Sequence, residues 1–96
     1  VWLPTQAPHR ARAEIATVMG LPENKIHLIA PDVGGGFGSK GPVYREDIVA
    51  CHLALKLRKP IKWIASRSED FITTIQGRDQ AITSELALRK DGKFLA

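Results

Sequence analysis

The sequence predicts an α/β fold, and three observations carry that expectation. Two stretches repeat apolar residues at helical spacing, several short apolar runs have the length of strands, and a cluster of glycines separates one such run from one such helix. The expected order is strand, helix, strand, glycine-rich loop, helix, strand, short helix, strand. With 96 residues, 44% hydrophobic and 25% charged, the chain has room for one domain with a modest core.

Val1-Trp2-Leu3 reads as the first strand. Thr5-Gln6-Ala7-Pro8 is a helix entrance, with Thr as cap and Pro in the first turn. Ala11, Ile15, Val18 and Met19 form the apolar seam of that helix, and Gly20 with Pro22 stops it. Residues 25–30, Lys-Ile-His-Leu-Ile-Ala, are a strand ended by Pro31-Asp32. A second helix is expected from about Tyr44 to Leu57, with Ile48, Cys51, His52 and Leu55 on its seam and His52 in the core. Lys56, Arg58 and Lys59 suit its negative C-terminal end, and Pro60 follows. Residues 61–65 read as a strand, and Ser66-Arg67-Ser68-Glu69 matches a capping box before a short helix over residues 70–75. Arg67 is expected to be salt-bridged there, and Arg78 with Asp79 to be a structural pair on a turn. Residues 81–88 read as a strand leading to Asp91-Gly92, a hairpin signal of the type I′ kind.

The chain lacks an initiator Met and its last expected strand has barely begun at Phe94, so it reads as a piece of a longer chain. Fourteen basic against ten acidic side chains give a net charge of +4, but they are dispersed, which argues against a nucleic-acid surface. No apolar run approaches the roughly 18–20 residues of a membrane span, and the N-terminus has no signal-peptide pattern, so the expectation is a soluble, cytoplasmic protein. The single cysteine, Cys51, excludes an internal disulfide and a cysteine-based zinc site. His9, His27 and His52 have no metal-ligand spacing.

The loop Val33-Gly34-Gly35-Gly36-Phe37-Gly38-Ser39-Lys40-Gly41-Pro42 is where a ligand is expected. So many glycines are entropically costly and are retained where backbone must approach a ligand closely. A Walker A loop fails, because Ser39 precedes Lys40 and Gly41 follows it. Gly36, Gly38 and Gly41 satisfy a dinucleotide pattern, but residues 56–60 hold no acid for a ribose, leaving an NADP-binding domain as one alternative. A non-catalytic interaction module, self-associating through an unpaired strand at Phe94, is the other. Lys40 could pair with a phosphate or anchor the loop to a carboxylate.

Four segments occur in order: Thr5-Gln6-Ala7-Pro8-His9, the loop from Pro31 to Lys40, Arg67-Ser68-Glu69-Asp70, and Gly77-Arg78-Asp79. Together they resemble the molybdenum-binding large subunit of the molybdenum hydroxylases, the xanthine dehydrogenase and aldehyde oxidase family, and within it the aerobic carbon monoxide dehydrogenase branch. The resemblance covers essentially the whole chain and implies a fragment, residues 1–96, of a molybdopterin-binding domain. It implies a molybdenum-pterin cofactor, as molybdopterin or its cytosine dinucleotide form, with FAD and iron–sulfur clusters on partner domains or subunits. The implied reaction is a two-electron oxidation of a small substrate, and the implied partners are the rest of the large subunit and the iron–sulfur and FAD subunits. Gln6 stands where the family's Gln donates a hydrogen bond to an oxo ligand of molybdenum. Phe37 and Gly38 match the pair lying over the molybdenum–pterin centre, with the Gly38 N–H free to meet an oxygen or sulfur. Gly35 and Gly36 keep the neighbouring backbone near the pterin. Purine-oxidising members carry Glu where this chain has Gly41, which argues against purines. The family's catalytic glutamate and copper-binding cysteine loop lie outside these residues, Cys51 is not that cysteine, and the isolated chain is expected to be inactive.

Overall fold

The computed structural model describes residues 1–77 and 79–95. Its elements are α1 (Pro8–Met19), a 3-10 turn (Glu23–Lys25), α2 (Arg45–Leu57) and α3 (Arg67–Thr73). The expected α/β sheet is not formed. Among the described residues, β pairing is confined to isolated bridges, one parallel between Trp2 and Ile29 and one antiparallel between Leu88 and Phe94. The reason is that a strand needs a neighbour for its N–H and C=O groups, and periodicity does not supply one. Residues 61–65 and 81–86 run without a ladder, and all but Ala65 of them are exposed, while the Ala87 carbonyl accepts from Leu95 N–H at 2.9 Å beside the Leu88–Phe94 bridge.

The helices follow their sequence signals more closely. Pro8 opens α1, where its missing N–H costs nothing, but Ala7 occupies the cap position instead of Thr5. Gly20, at φ +64°, ends α1 with a Schellman pair: Leu21 N–H donates to Ala16 O at 2.9 Å and Gly20 N–H to Thr17 O at 3.3 Å. The buried face is Ala11, Ile15 and Ala16, whereas Val18, expected on the seam, is 64% exposed. The Arg12 guanidinium reaches Glu23 at 3.1 Å and ties α1 to the 3-10 turn, which takes the start of the expected strand at Lys25.

No residue of α2 is fully buried; Ile48 and Cys51 are half-buried, and His52, expected in the core, is exposed. Arg58 ends the helix in the left-handed conformation at φ +52°, a position usually held by glycine. The Ser66 capping box of α3 forms as expected: Ser66 N–H donates to Glu69 Oε2 at 2.7 Å and Glu69 N–H to Ser66 Oγ at 3.3 Å. Arg67 has no carboxylate partner among the described residues; its guanidinium lies 5.6 Å from the centre of the Phe71 ring.

The Asp91-Gly92 turn is present, but only Gly92 has a positive φ, at +84°, which excludes type I′. Gly92 N–H donates to Arg89 O and Arg89 N–H to Lys93 O, both at 2.9 Å, as in a three-residue loop with a glycine bulge. Phe94 is therefore paired with Leu88 and not a free strand. Arg78, of the expected turn pair, and Ala96 lie outside the described residues.

The radius of gyration is 20.4 Å, against about 12.5 Å for a compact domain of this length. The accessible surface is 8356 Å², half as much again as the roughly 5,500 Å² of a compact monomer of this mass. The core is the α1 side of the molecule, and Trp2 and Trp63 are not part of it. Among the described residues, no helix is long and apolar enough to cross a membrane.

Candidate functional site

Thr5 is the one buried polar residue among those described, at 3% exposure, and it seats the segment that carries Gln6. Its hydroxyl accepts from Ala7 N–H at 3.1 Å and donates to the Lys40 carbonyl at 3.2 Å. Gln6 N–H donates to the same carbonyl at 3.0 Å. The start of α1 and the end of the glycine loop are thus joined across 35 residues of sequence.

The loop folds back over Gln6. Lys40 N–H donates to Gly36 O at 3.2 Å, Gly41 N–H donates to Gly38 O at 3.1 Å, and the Tyr44 hydroxyl donates to Ser39 O. The Lys40 ammonium donates to the Val33 carbonyl, at the loop's other end. Lys40 does anchor the loop, then, but to a carbonyl and not to a carboxylate.

Within this frame the Gly38 N–H donates to Gln6 Oε1 at 3.2 Å. The expectation that this N–H is free for a ligand is corrected: Gln6 takes it. The Gln6 amide nitrogen has no hydrogen-bond partner among the described residues, so a pair of donors is left pointing out of an exposed carboxamide. Gly36 meets Gln6 so closely that an added Cβ would stand 2.2 Å from Oε1. Gly38 holds φ +83°, where a side chain is strained.

Phe37 also has a positive φ, +48°, and its side chain is fully exposed, with the ring edge 2.3 Å from where a Cβ on Gly35 would lie. A strained aromatic residue presented to solvent by glycines is a poor solution for stability alone. Gln6 thus meets Gly36 and Gly38, and Phe37 lies against Gly35. Thr5 was expected as a helix cap and Tyr44 as the start of the second helix, and neither as a support of the loop; a threonine or tyrosine next to a loop carries no spacing signal for that.

Gly36, Gly38 and Gly41 do not build a dinucleotide site. Pro42 follows them in a bend and α2 opens only at Arg45, so no helix begins at the third glycine. Among the described residues, no group of three or more His, Cys, Asp or Glu side chains could hold a metal ion. Two open apolar grooves lie elsewhere, one of about 380 Å³ between α1 and α2 and one of about 330 Å³ beside Trp63.

Two carboxylates at the third position of their helices titrate in opposite directions. Burial pushes Asp47 above the ordinary range, outweighing the hydrogen bond it accepts from Tyr44 N–H at 2.9 Å, and Glu46 adds to the rise. Glu69 lies in solvent, and the hydrogen bonds from Ser66 hold it below that range. Burial also raises the Cys51 thiol, which disfavours the thiolate.

Residues 1–96 match the molybdopterin cofactor-binding domain family. The chain is 47% identical over its full length to the carbon monoxide dehydrogenase large chain of Afipia carboxidovorans, of which it covers 12%. It is 38% identical over 98% of its length to the carbon monoxide dehydrogenase large chain of Hydrogenophaga pseudoflava, again covering 12%. The nicotine 6-hydroxylase large subunit of Paenarthrobacter nicotinovorans is 30% identical over 98% of the chain and is also covered to 12%. The chain thus spans about an eighth of the length of these relatives. No solved structure matches it at a significant level. The family match and these relatives agree, and the chain belongs to the molybdopterin-binding domain family of the molybdenum hydroxylases, a family of oxidoreductases.

Proposed function

We propose that these residues are a single fragment of the cofactor-binding large subunit of a carbon monoxide dehydrogenase-like molybdenum enzyme, with Gln6 and the loop from Gly35 to Gly38 facing the cofactor. The observation that carries this is the Gln6 carboxamide: its oxygen is committed to Gly38 N–H and its NH2 group has no partner among the described residues. A neutral donor held in one orientation suits an oxo ligand, since it polarises the oxygen without adding charge beside a redox centre. The glycines suit a large flat group, because a Cβ at Gly36 would displace the donor itself. Phe37, exposed beside them, supplies an apolar wall.

The molybdenum–pterin group, when bound, supplies two-electron redox chemistry for a small substrate: carbon monoxide, an aldehyde or a heterocycle. The contribution of this chain is to orient the group and bound substrate. Gln6 donates through its Nε2, Gly38 fixes the rotamer of Gln6, and Phe37 shields one side from water. Iron–sulfur clusters and FAD on partner domains or subunits would supply the outlet for electrons, and the isolated 96 residues are expected to show no turnover.

Elemental analysis of the intact enzyme tests the reading. Molybdenum near one per large subunit is the expected result, with copper beside it pointing to carbon monoxide as substrate. Enzyme made where the cofactor is available but holding neither metal would refute it. Gln6→Ala should then lower turnover with molybdenum retained; full turnover at full loading would remove Gln6 from its role.

A further inference from the structure

We propose that Lys40 is a positioning residue for Gln6, closing the glycine loop so that the Gln6 carboxamide is held in one orientation. The inference rests on the role assigned to Gln6 above and adds a residue that touches neither substrate nor cofactor.

Each hydrogen-bonding group of Lys40 joins the loop to itself or to the Gln6 segment. The ammonium donates to the Val33 carbonyl, seven residues back. The N–H donates to Gly36 O at 3.2 Å. The carbonyl accepts twice, from Gln6 N–H at 3.0 Å and from Thr5 Oγ1 at 3.2 Å. No carboxylate lies within ion-pair distance of the ammonium among the described residues, so no competing partner draws it from Val33.

Geometry makes this a clamp. Residues 33–40 would otherwise be a glycine-rich span free to open, and the contacts of Gly36 and Gly38 with Gln6 lie midway along it. Tying both ends sets the width of the loop, and the width sets where the Gly38 N–H points. A charged donor is stronger than a neutral one in the same place, which suits an anchor that must resist loop opening. Lys40 therefore acts on the reaction only through Gln6.

The test uses the intact enzyme with Lys40→Met, which keeps the apolar stem and removes the donors, and Lys40→Arg, which keeps a charged donor. Lys40→Met should lower kcat roughly 10-fold with little change in KM and with molybdenum retained, and Lys40→Arg should recover part of the loss. In a Gln6→Ala background Lys40→Met should cost nothing more, because the two residues act as one unit. Independently of turnover, hydrogen exchange at the Gln6 and Lys40 amides should quicken in Lys40→Met. Losses that multiply in the double variant, or unchanged exchange at Gln6, would overturn the proposal. So would molybdenum lost with Lys40→Met, which would make Lys40 a direct cofactor contact. If Gln6→Ala itself turns over normally, the role of Gln6 fails, and the exchange at its amide alone decides whether Lys40 is the clamp. Should Lys40→Met not accumulate, Lys40→Gln, with a shorter neutral donor, carries the same readouts.

Discussion

The carboxamide oxygen of Gln6 occupies the space where a side chain on residue 36 would have to begin: a Cβ on Gly36 would stand 2.2 Å from it. Gln6 is exposed, so the collision is relieved by pushing the carboxamide off the Gly38 N–H that holds it and not by unfolding the chain. Gly36→Ala in the intact enzyme should therefore leave stability within about 1 kcal/mol of the parent while lowering turnover at full molybdenum loading. A thermal melt and a rate measured on the same preparation check this. A large loss of stability with normal specific activity would contradict it.

Phe37 and Arg58 are both non-glycine residues in the left-handed region, at φ +48° and +52°. Such a conformation costs an L-residue about 1–2 kcal/mol. Arg58→Gly at the end of α2 should recover part of that, roughly 1 kcal/mol, in denaturant unfolding of the intact subunit. Phe37→Gly should relieve similar strain and yet impair turnover, because the ring is what the strain presents. If Phe37→Gly is fully active, the exposed ring has no part in the site.

Asp47 and Glu69 make the same local contact, each accepting the N–H of its helix cap residue, and burial separates them. For Asp47 the folded-state pKa is raised, so its proton stabilises the folded form fully below the unfolded value, and that contribution fades as pH rises through the folded value. For Glu69 the folded pKa is lowered, so the stabilisation is present above the unfolded value and is lost as pH falls through the folded one. Carboxyl NMR titration should place Asp47 above, and Glu69 below, the value of the same side chain in the unfolded chain. Asp47→Asn should gain on the parent in stability as pH rises from acid to neutral.

The isolated 96-residue chain should show hydrogen-exchange protection on the inner turns of α1, around Ile15 and Ala16, and almost none over residues 81–87. Protection of residues 81–87 in the isolated chain would mean that it pairs with itself, and sedimentation at several concentrations would show this.

Local chemistry was legible from the residues alone. Pro8 before a helical repeat, Gly20 after it, the Ser66–Glu69 box and the Asp91-Gly92 turn each involve groups within a few positions of one another, and each formed. The gathering of Gln6 with the glycine loop was legible through the family resemblance. The sheet was not: alternation marks residues able to pair, and pairing depends on a second strand that residues 61–65 and 81–86 do not meet here. Burial failed for the same reason at Val18 and His52, since periodicity names a face and not what covers it. Only the tertiary structure decided that Gly38 N–H is spent on Gln6, and that Lys40 binds a carbonyl where a phosphate or a carboxylate was expected. These are contacts across 32 and 7 residues, set by how the chain folds back, and no spacing rule encodes them.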